Sequence, residues 1–93
     1  MKRTYREAYG DLWTTKDGLD TLIIVRHLVS LLAIGEGWTL SQIIEFVARS
    51  LDNQAVDVWL VLNALEHLWM RGEVRSEAKV FGGSCFIEKW VRT

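Results

Sequence analysis

The sequence predicts an α+β domain in which three helices form the core and a two-stranded β-hairpin follows at the C-terminus. Apolar residues recur at helical spacing from residue 20 to residue 71, and after that they alternate with polar residues. Glycines separate these segments, and Gly82-Gly83 is typical of a two-residue hairpin turn. The domain is expected to cover residues 20–93, and residues 1–19 are expected to form an N-terminal arm or a short helix.

Length and composition indicate one small folded domain. The 93 residues are 49% hydrophobic and 25% charged, which is the composition of a globular protein and not of a disordered one. No apolar run reaches the roughly 18 residues that a membrane span needs, and no apolar core follows the basic N-terminus as it would in a signal peptide. A single cysteine is typical of a reducing compartment. We therefore expect a cytoplasmic protein that does not bind membranes.

The first predicted helix runs from an N-cap at Asp20 to about Ile34. The segment Gly35-Glu36-Gly37 then ends it. It carries two apolar stripes, of which the first is Leu22, Val25, Val29 and Leu32 and the second is Ile24, Leu28 and Leu31. One stripe is enough for a helix that packs on a one-sided core. The second stripe therefore predicts a homodimer that associates through this helix and the N-terminal segment.

Two further helices are predicted between residues 39 and 71. Thr39 and Gln42 have the spacing of a capping box, which predicts the start of the second helix. Asp52 or Asn53 is expected to cap the third helix, which would begin at about Gln54. The expected inward residues are Leu40, Ile43, Ile44, Val47, Ala48 and Leu51 on the second helix, and Val58, Val61 or Leu62, Leu65, Leu68 and Trp69 on the third.

The hairpin is predicted from the period-two alternation that follows Gly72. A two-residue turn would pair these residues on an apolar, core-facing side: Val80 with Cys85, Ala78 with Ile87, and Val74 with Val91. The same register places Arg75 opposite Trp90, as a cation–π pair. It also places Glu77 opposite Glu88. Because like charges repel across a strand pair, a bulge or a slipped register remains an alternative.

A set of spaced residues between Thr39 and Val74 resembles a known family. A capping segment opens the second helix, Leu65 and Leu68 lie seven and four residues before Gly72, and Val74 begins the first strand. This pattern resembles that of winged-helix transcription regulators, and the resemblance covers residues 20–92. It implies a winged helix-turn-helix fold and a homodimer that binds double-stranded DNA to regulate transcription. These residues are mainly fold-determining, so they specify a fold better than a function.

Three residues near the start of the third helix are the main candidates for reading bases. The resemblance implies that this helix enters the major groove by its N-terminal half. Gln54 or Asn53 would contact adenine, and Asp57 would accept a hydrogen bond from a cytosine amino group. Leu60 and Asn63 lie one turn further along and are the remaining candidates on this face.

Five other residues are candidates for binding the DNA backbone. Ser41 and Gln42 begin the second helix, where free backbone amides favour a phosphate. Arg49 ends that helix, and Arg75 and Lys79 lie on the hairpin, so all three would bring positive charge to the phosphates. The basic residues of the N-terminal arm would add to this charge.

A protein-binding function is the second interpretation. The net charge is −1 and the third helix has no Lys or Arg before Arg71, whereas DNA-binding domains are usually basic. The third helix instead carries apolar side chains beyond the core stripe, namely Val56, Trp59, Leu60 and Met70. Exposed apolar patches mark interfaces. The alternative is therefore a winged-helix module that binds another protein and not DNA.

Residues that could carry catalysis or hold a metal are few and scattered. Cys85 is expected inside a strand as a small core residue, with an intersubunit disulfide as the alternative. His27 and His67 lie on separate predicted helices, where each is expected to be a surface histidine. No Cys or His spacing fits a metal site, and Gly82-Gly83 joins two strands instead of opening a helix. The sequence therefore predicts no enzyme, no metal and no cofactor.

Overall fold

The computed structural model describes residues 16–93, which form three helices and a three-stranded antiparallel sheet. The elements follow in the order α1 (Lys16–Leu31), β1 (Gly37–Trp38), α2 (Leu40–Ser50), α3 (Val58–Met70), β2 (Val74–Phe81) and β3 (Ser84–Arg92). The strand order in the sheet is β1-β3-β2. The prediction of an α+β chain with three helices and a C-terminal hairpin is confirmed. The arm predicted for the N-terminus lies, up to residue 15, outside the described residues.

All three helices and the base of the hairpin contribute to one hydrophobic core. The largest fully buried side chains are Leu28, Leu65, Leu68, Val25, Val47, Val61 and Val91. The core stripe predicted for α1 is confirmed, because all four of its residues are buried. On α3 the prediction is confirmed for Val61, Leu65 and Leu68 and wrong for Val58 and Trp69, which are exposed. Each buried aliphatic side chain stabilises the fold by about 1.5–3 kcal/mol relative to an exposed one.

The first helix begins and ends earlier than the sequence predicts. It starts at Lys16, so Asp20 lies inside the helix and does not cap it. Gly18, which the sequence places in the N-terminal arm, is a buried residue of the first turn of α1, which shows tertiary packing overriding the low helix propensity of glycine. The helix ends at Leu31, where the Arg92 guanidinium donates to the carbonyl oxygen of Ser30 at 3.2 Å. A basic side chain at this end satisfies carbonyls that the helix leaves without a partner.

The second apolar stripe of α1 does not face outward as a whole. Leu28 is only 2% exposed and belongs to the core, so its predicted place in a dimer interface is wrong. Leu31 is exposed as predicted, and Ile24 is half-buried against the core. The exposed apolar side chains of this helix are instead Leu19, Ile23 and Leu31, and the exposed Ile34 follows its end.

The start of α2 is confirmed and the start of α3 is corrected. Thr39 and Gln42 form the predicted capping box, with each backbone N–H donating to the other residue's side-chain oxygen at 2.9 and 3.2 Å. Neither Asp52 nor Asn53 caps α3, because both adopt positive φ angles of 56° and 60° in the turn after α2. Asx residues tolerate this left-handed conformation better than other non-glycine residues. The cap is Asp57, whose carboxylate accepts from the backbone N–H of the second helical residue at 2.9 Å.

A β-bulge resolves the charge conflict that the sequence indicates in the hairpin. Next to the turn, the pairs of Val80 with Cys85 and of Ala78 with Ile87 are confirmed. The register then shifts between Glu77 and Ala78, so Glu77 faces Lys89 instead of Glu88. One extra residue thus replaces a like-charge pair with an ion pair of 3.5 Å. Beyond the bulge the predicted cross-strand pairs are wrong, since Val74 faces Arg92, Arg75 faces Val91 and Ser76 faces Trp90.

The outer half of the hairpin extends beyond the core. Val80, Ile87 and Cys85 are exposed, so the apolar face predicted to pack on the helices reaches the core only at its base. Cys85 is therefore not the small core residue that the sequence predicts. Short strand β1 was not predicted; it pairs Gly37 and Trp38 with the C-terminal part of β3.

Candidate binding surfaces

The residues predicted to read DNA bases do not share one helical face. Asn53 and Gln54 are exposed, but they lie in the turn before α3 and not in its first turn. The Asp57 carboxylate caps the helix, which commits one of its oxygens to a backbone amide. Asn63 is only 6% exposed and cannot reach a base. Leu60 is half-buried.

Carboxylates surround the predicted base-reading position. Gln54 lines an open hollow of about 320 Å³ at the adjoining ends of α1 and α3. The other lining residues are Lys16, Asp17, Asp20, Thr21, Leu51, Ala55, Asp57 and Leu60. Three acidic residues against one basic residue disfavour the close approach of a phosphodiester chain.

The cations predicted to contact phosphates are each next to a carboxylate. Ser41 and Gln42 are exposed at the start of α2, as predicted, although the Gln42 side chain is held in the capping box. Arg49 pairs with a glutamate one turn earlier on α2. On the hairpin, Nη1 of Arg75 lies 2.8 Å from Oε2 of Glu77, and Nζ of Lys79 lies 3.6 Å from Oε1 of Glu88.

These ion pairs disfavour DNA binding, because each cation already has a carboxylate beside it. Exposed pairs are worth about 0–1 kcal/mol, so a phosphate could displace the carboxylate from each cation. The displaced carboxylate would still lie beside the phosphate and repel it. Residues 16–93 contain eight Lys and Arg against ten Asp and Glu, a net charge of −2. The described part of the chain therefore lacks the excess of positive charge on which binding to the DNA backbone depends.

An apolar groove separates α3 from the hairpin, and we call it the aromatic groove. It has a volume of about 330 Å³ and is lined by Leu62, Glu66, Trp69, Ser76, Ile87 and Trp90. The three α3 residues follow the spacing i, i+4 and i+7, which places them on one face of the helix. Ser76 and Trp90 face each other across β2 and β3.

The β-bulge creates the strand side of the aromatic groove. Ile87 and Trp90 are three residues apart, so in a regular strand their side chains would point to opposite faces. The extra residue at Glu88 changes this alternation and brings both side chains to the side of α3. The Glu77–Glu88 conflict was the signal in the sequence that could have located this surface.

The aromatic groove combines exposed apolar area with one carboxylate. Trp69 is 53% exposed and Ile87 is 50% exposed, so about half of each side chain is accessible to a ligand. Glu66 is the one charged lining residue among those that the structure describes. It forms no ion pair with any other described residue, unlike the glutamates on the hairpin. An apolar ligand with a positive charge would complement this surface.

A second exposed apolar surface lies on the outer side of α1. Leu19, Ile23 and Leu31 are exposed along this helix, and His27 completes the line that they form at intervals of four residues. We call these four residues the α1 stripe. No Asp, Glu, Lys or Arg is part of it.

Neither a metal-binding cluster nor a membrane-spanning helix is found in the described range. No group of three or more His, Cys, Asp and Glu side chains among residues 16–93 could hold a metal ion. Within the same range, no helix is both long enough and apolar enough to cross a membrane. His27 is exposed and His67 is half-buried, on α1 and α3 respectively.

Comparisons with protein-family models, curated proteins and solved structures found no match for this chain.

Proposed function

We propose that this chain is a cytoplasmic winged-helix module that binds a segment of another protein in the aromatic groove. The order α1-β1-α2-α3-β2-β3, with an exposed hairpin after the third helix, is compatible with the winged-helix fold. In DNA-binding members of that fold, the third helix and the hairpin carry the polar and basic residues that meet the duplex. Here the same two elements enclose tryptophan, isoleucine and leucine. This apolar lining is the observation that carries the proposal.

The groove chemistry defines the partner segment. Large aromatic side chains at the centre of an interface contribute most of the binding energy, and tryptophan is prominent among them. Trp69 and Trp90 can pack on one large apolar side chain of the partner. Glu66, which lines the groove between Leu62 and Trp69, favours a lysine or arginine beside that side chain, and the tryptophan rings add cation–π attraction. The proposed partner is thus a peptide segment with an apolar and a basic residue close together.

Replacing Trp69 by serine is expected to weaken the binding of such a segment by about 2 kcal/mol or more, which raises Kd at least thirtyfold. The ligands are random peptides displayed on phage and selected on the immobilised full chain. Fluorescence anisotropy measures their affinity. Trp59→Ser is the matched control, because Trp59 is 49% exposed on the same helix but outside the groove. Selection without enrichment, or selected peptides that bind Trp69→Ser and the unaltered chain equally, would refute the proposal.

A homodimeric DNA-binding regulator is the second candidate. It is favoured by the exposed helix start at Ser41 and by the half-exposed cations Arg75 and Lys79 on the hairpin. Lys79→Ala should then weaken binding to all duplexes alike and reduce the slope of log affinity against log salt concentration by about one. Gln54→Ala should instead weaken binding by about 1–3 kcal/mol for a selected duplex alone. If selected duplexes bind no better than roughly millimolar at physiological salt, which is weaker than ordinary non-specific binding, this candidate is excluded.

Self-association through the α1 stripe is part of both candidates. A twofold dimer uses the same patch on both subunits, so the patch must complement itself. In an antiparallel pair of α1 helices centred on Val25, Leu19 of one copy lies over Leu31 of the other, and no charge of the stripe is buried. The stripe therefore fits a second copy of this chain.

Leu19→Asp is expected to convert the dimer into a folded monomer of 10.7 kDa, because it places an unpaired carboxylate opposite the apolar Leu31 of the other copy. Sedimentation at micromolar concentration measures the mass, and circular dichroism checks the fold. Ser50→Asp, at an exposed position of α2, should leave the dimer unchanged. A monomeric unaltered chain would contradict the prediction. Leu28→Asp should unfold the chain instead, since Leu28 is buried.

A further inference from the structure

The free edge of the sheet lies next to the aromatic groove. The strand order β1-β3-β2 leaves β2 paired on one side only. In the described part of the chain, the backbone groups of residues 74–81 form hydrogen bonds with β3 and with no other segment. A strand with one unpaired row of N–H and C=O groups is a template for another extended chain. This row is eight residues long.

Edge and groove meet at Ser76. This residue belongs to β2 and lines the groove, so a strand added to β2 would lie about 4.8 Å from it, beside the groove. Side chains alternate between the two faces of a strand. Every second side chain of the added strand would therefore point to the face that carries Ser76, Ile87 and Trp90. The intervening side chains would point to the opposite face, which carries Arg75, Glu77 and Lys79.

Charge decides which segments fit this edge. Arg75, Glu77 and Lys79 alternate in sign along β2, so the outer face of an added strand meets both charges and is best matched by neutral polar residues. On the groove face, the carboxylate of Glu66 stands among apolar side chains without an ion-pair partner in the described residues. A neutral or acidic residue would leave this charge unpaired, whereas Lys or Arg would pair with it.

We infer that the partner segment binds as an extended strand on the free edge of β2. Its alternate side chains enter the aromatic groove, and a lysine or arginine among them pairs with Glu66. The inference rests on the proposed function and adds to it the backbone conformation of the segment, the sheet edge that binds it and the residue that selects charge. Main-chain hydrogen bonds to β2 supply affinity for any extended segment, and the groove selects the sequence.

Synthetic nine-residue peptides test the conformation on the full chain. They alternate threonine with groove-facing leucine and tryptophan, and one groove-facing position carries lysine. Two N-methylated forms are compared, one with the methyl groups on the odd-numbered amides and one on the even-numbered amides. One form blocks the amides that face β2 and is expected to lose at least tenfold in affinity, whereas the other keeps its affinity. Equal affinities of the two forms would overturn strand addition.

Peptides with Lys, Gln or Glu at the variable position test the charge. The expected order of affinity is Lys, then Gln, then Glu, with steps of about two- to fivefold, as measured for exposed ion pairs. Glu66→Gln should remove the preference for Lys, while Glu36→Gln, at an exposed carboxylate outside the groove, should keep it. A preference for Lys that persists in Glu66→Gln would overturn the role of Glu66.

The two proposals fail in distinguishable ways. If both N-methylated forms bind alike but remain sensitive to Trp69→Ser, the groove binds its segment in another conformation, and only the strand-addition inference is wrong. If none of the peptides binds at millimolar concentration, this inference is contradicted, and the outcome of the phage selection decides the proposed function separately.

Discussion

Replacing Leu65 by alanine is expected to lower the free energy of unfolding by about 2–5 kcal/mol. Leu65 lies at the centre of α3, is 1% exposed and belongs to the core that all three helices share. Replacing its isobutyl group by a methyl group takes away buried apolar area and leaves a cavity that the surrounding helices fill only in part. Small domains are stable by about 5–15 kcal/mol, so this single substitution removes a large share of the total.

Urea unfolding followed by circular dichroism measures this loss. Met70→Ala is the control, because it truncates an apolar side chain of similar size at an exposed position of α3, outside the α1 stripe and the aromatic groove, where we expect a change of about 0.5 kcal/mol or less. Both variants are compared with the unaltered chain at one protein concentration, since self-association would otherwise shift the midpoints. A loss below about 1 kcal/mol for Leu65→Ala would contradict the packing of α3 described above.

Gly37→Ala is expected to destabilise the chain by about 1–3 kcal/mol, as other overpacked sites do. A Cβ atom on Gly37 would lie 2.6 Å from Cγ2 of Val91 and 2.7 Å from the carbonyl oxygen of Trp90. The second contact is with backbone, so rotation of a side chain cannot relieve it. The glycine is therefore required by the close approach of β1 to β3.

Hydrogen exchange can localise the effect of Gly37→Ala. The segment before β1 is tied to β3 by the Gly35 amide, which donates to Arg92, and by the Arg92 amide, which donates to Glu36, both at 2.9 Å. If β1 is displaced, protection of the Arg92 amide should fall while that of the α3 amides changes only with global stability. Glu36→Ala, at the exposed neighbouring position, should have little effect. Unchanged stability of Gly37→Ala would show that β1 does not approach β3 so closely.

The bulge links the chemistry of the hairpin to the proposed function. A regular pairing would oppose Glu77 and Glu88, and the bulge that separates them also turns Ile87 and Trp90 toward α3. The same local change therefore removes a repulsion and builds the apolar surface on which the proposal depends. Because an extra residue in a strand also increases twist, such bulges often occur beside functional sites.

Local patterns in the sequence were enough to predict several features. The inner stripe of α1, the capping box of Thr39 and Gln42, the core positions Leu65 and Leu68, and the two-residue turn of the hairpin all agree with the structure. Each depends on residues at most a few positions apart, either through helical periodicity or through hydrogen bonds to neighbouring backbone. Periodicity predicted the order of the three helices and the hairpin, and the resemblance to winged-helix regulators implied DNA as the partner, a prediction that the structure does not test.

Tertiary structure alone decided the remaining features. The start of α1 at Lys16, the pairing of Gly37 with Val91, the burial of Leu28 and the facing of Ile87 and Trp90 toward α3 all depend on segments distant in the sequence. Helix propensity changes the free energy of a helix by at most about 1 kcal/mol per residue, proline apart. Packing against a neighbouring element readily exceeds this amount. A two-residue strand has no period of its own, and the side of a helix that becomes exposed is known only when its neighbours are in place. The aromatic groove belongs to this second group, since α3 and β3 form it together.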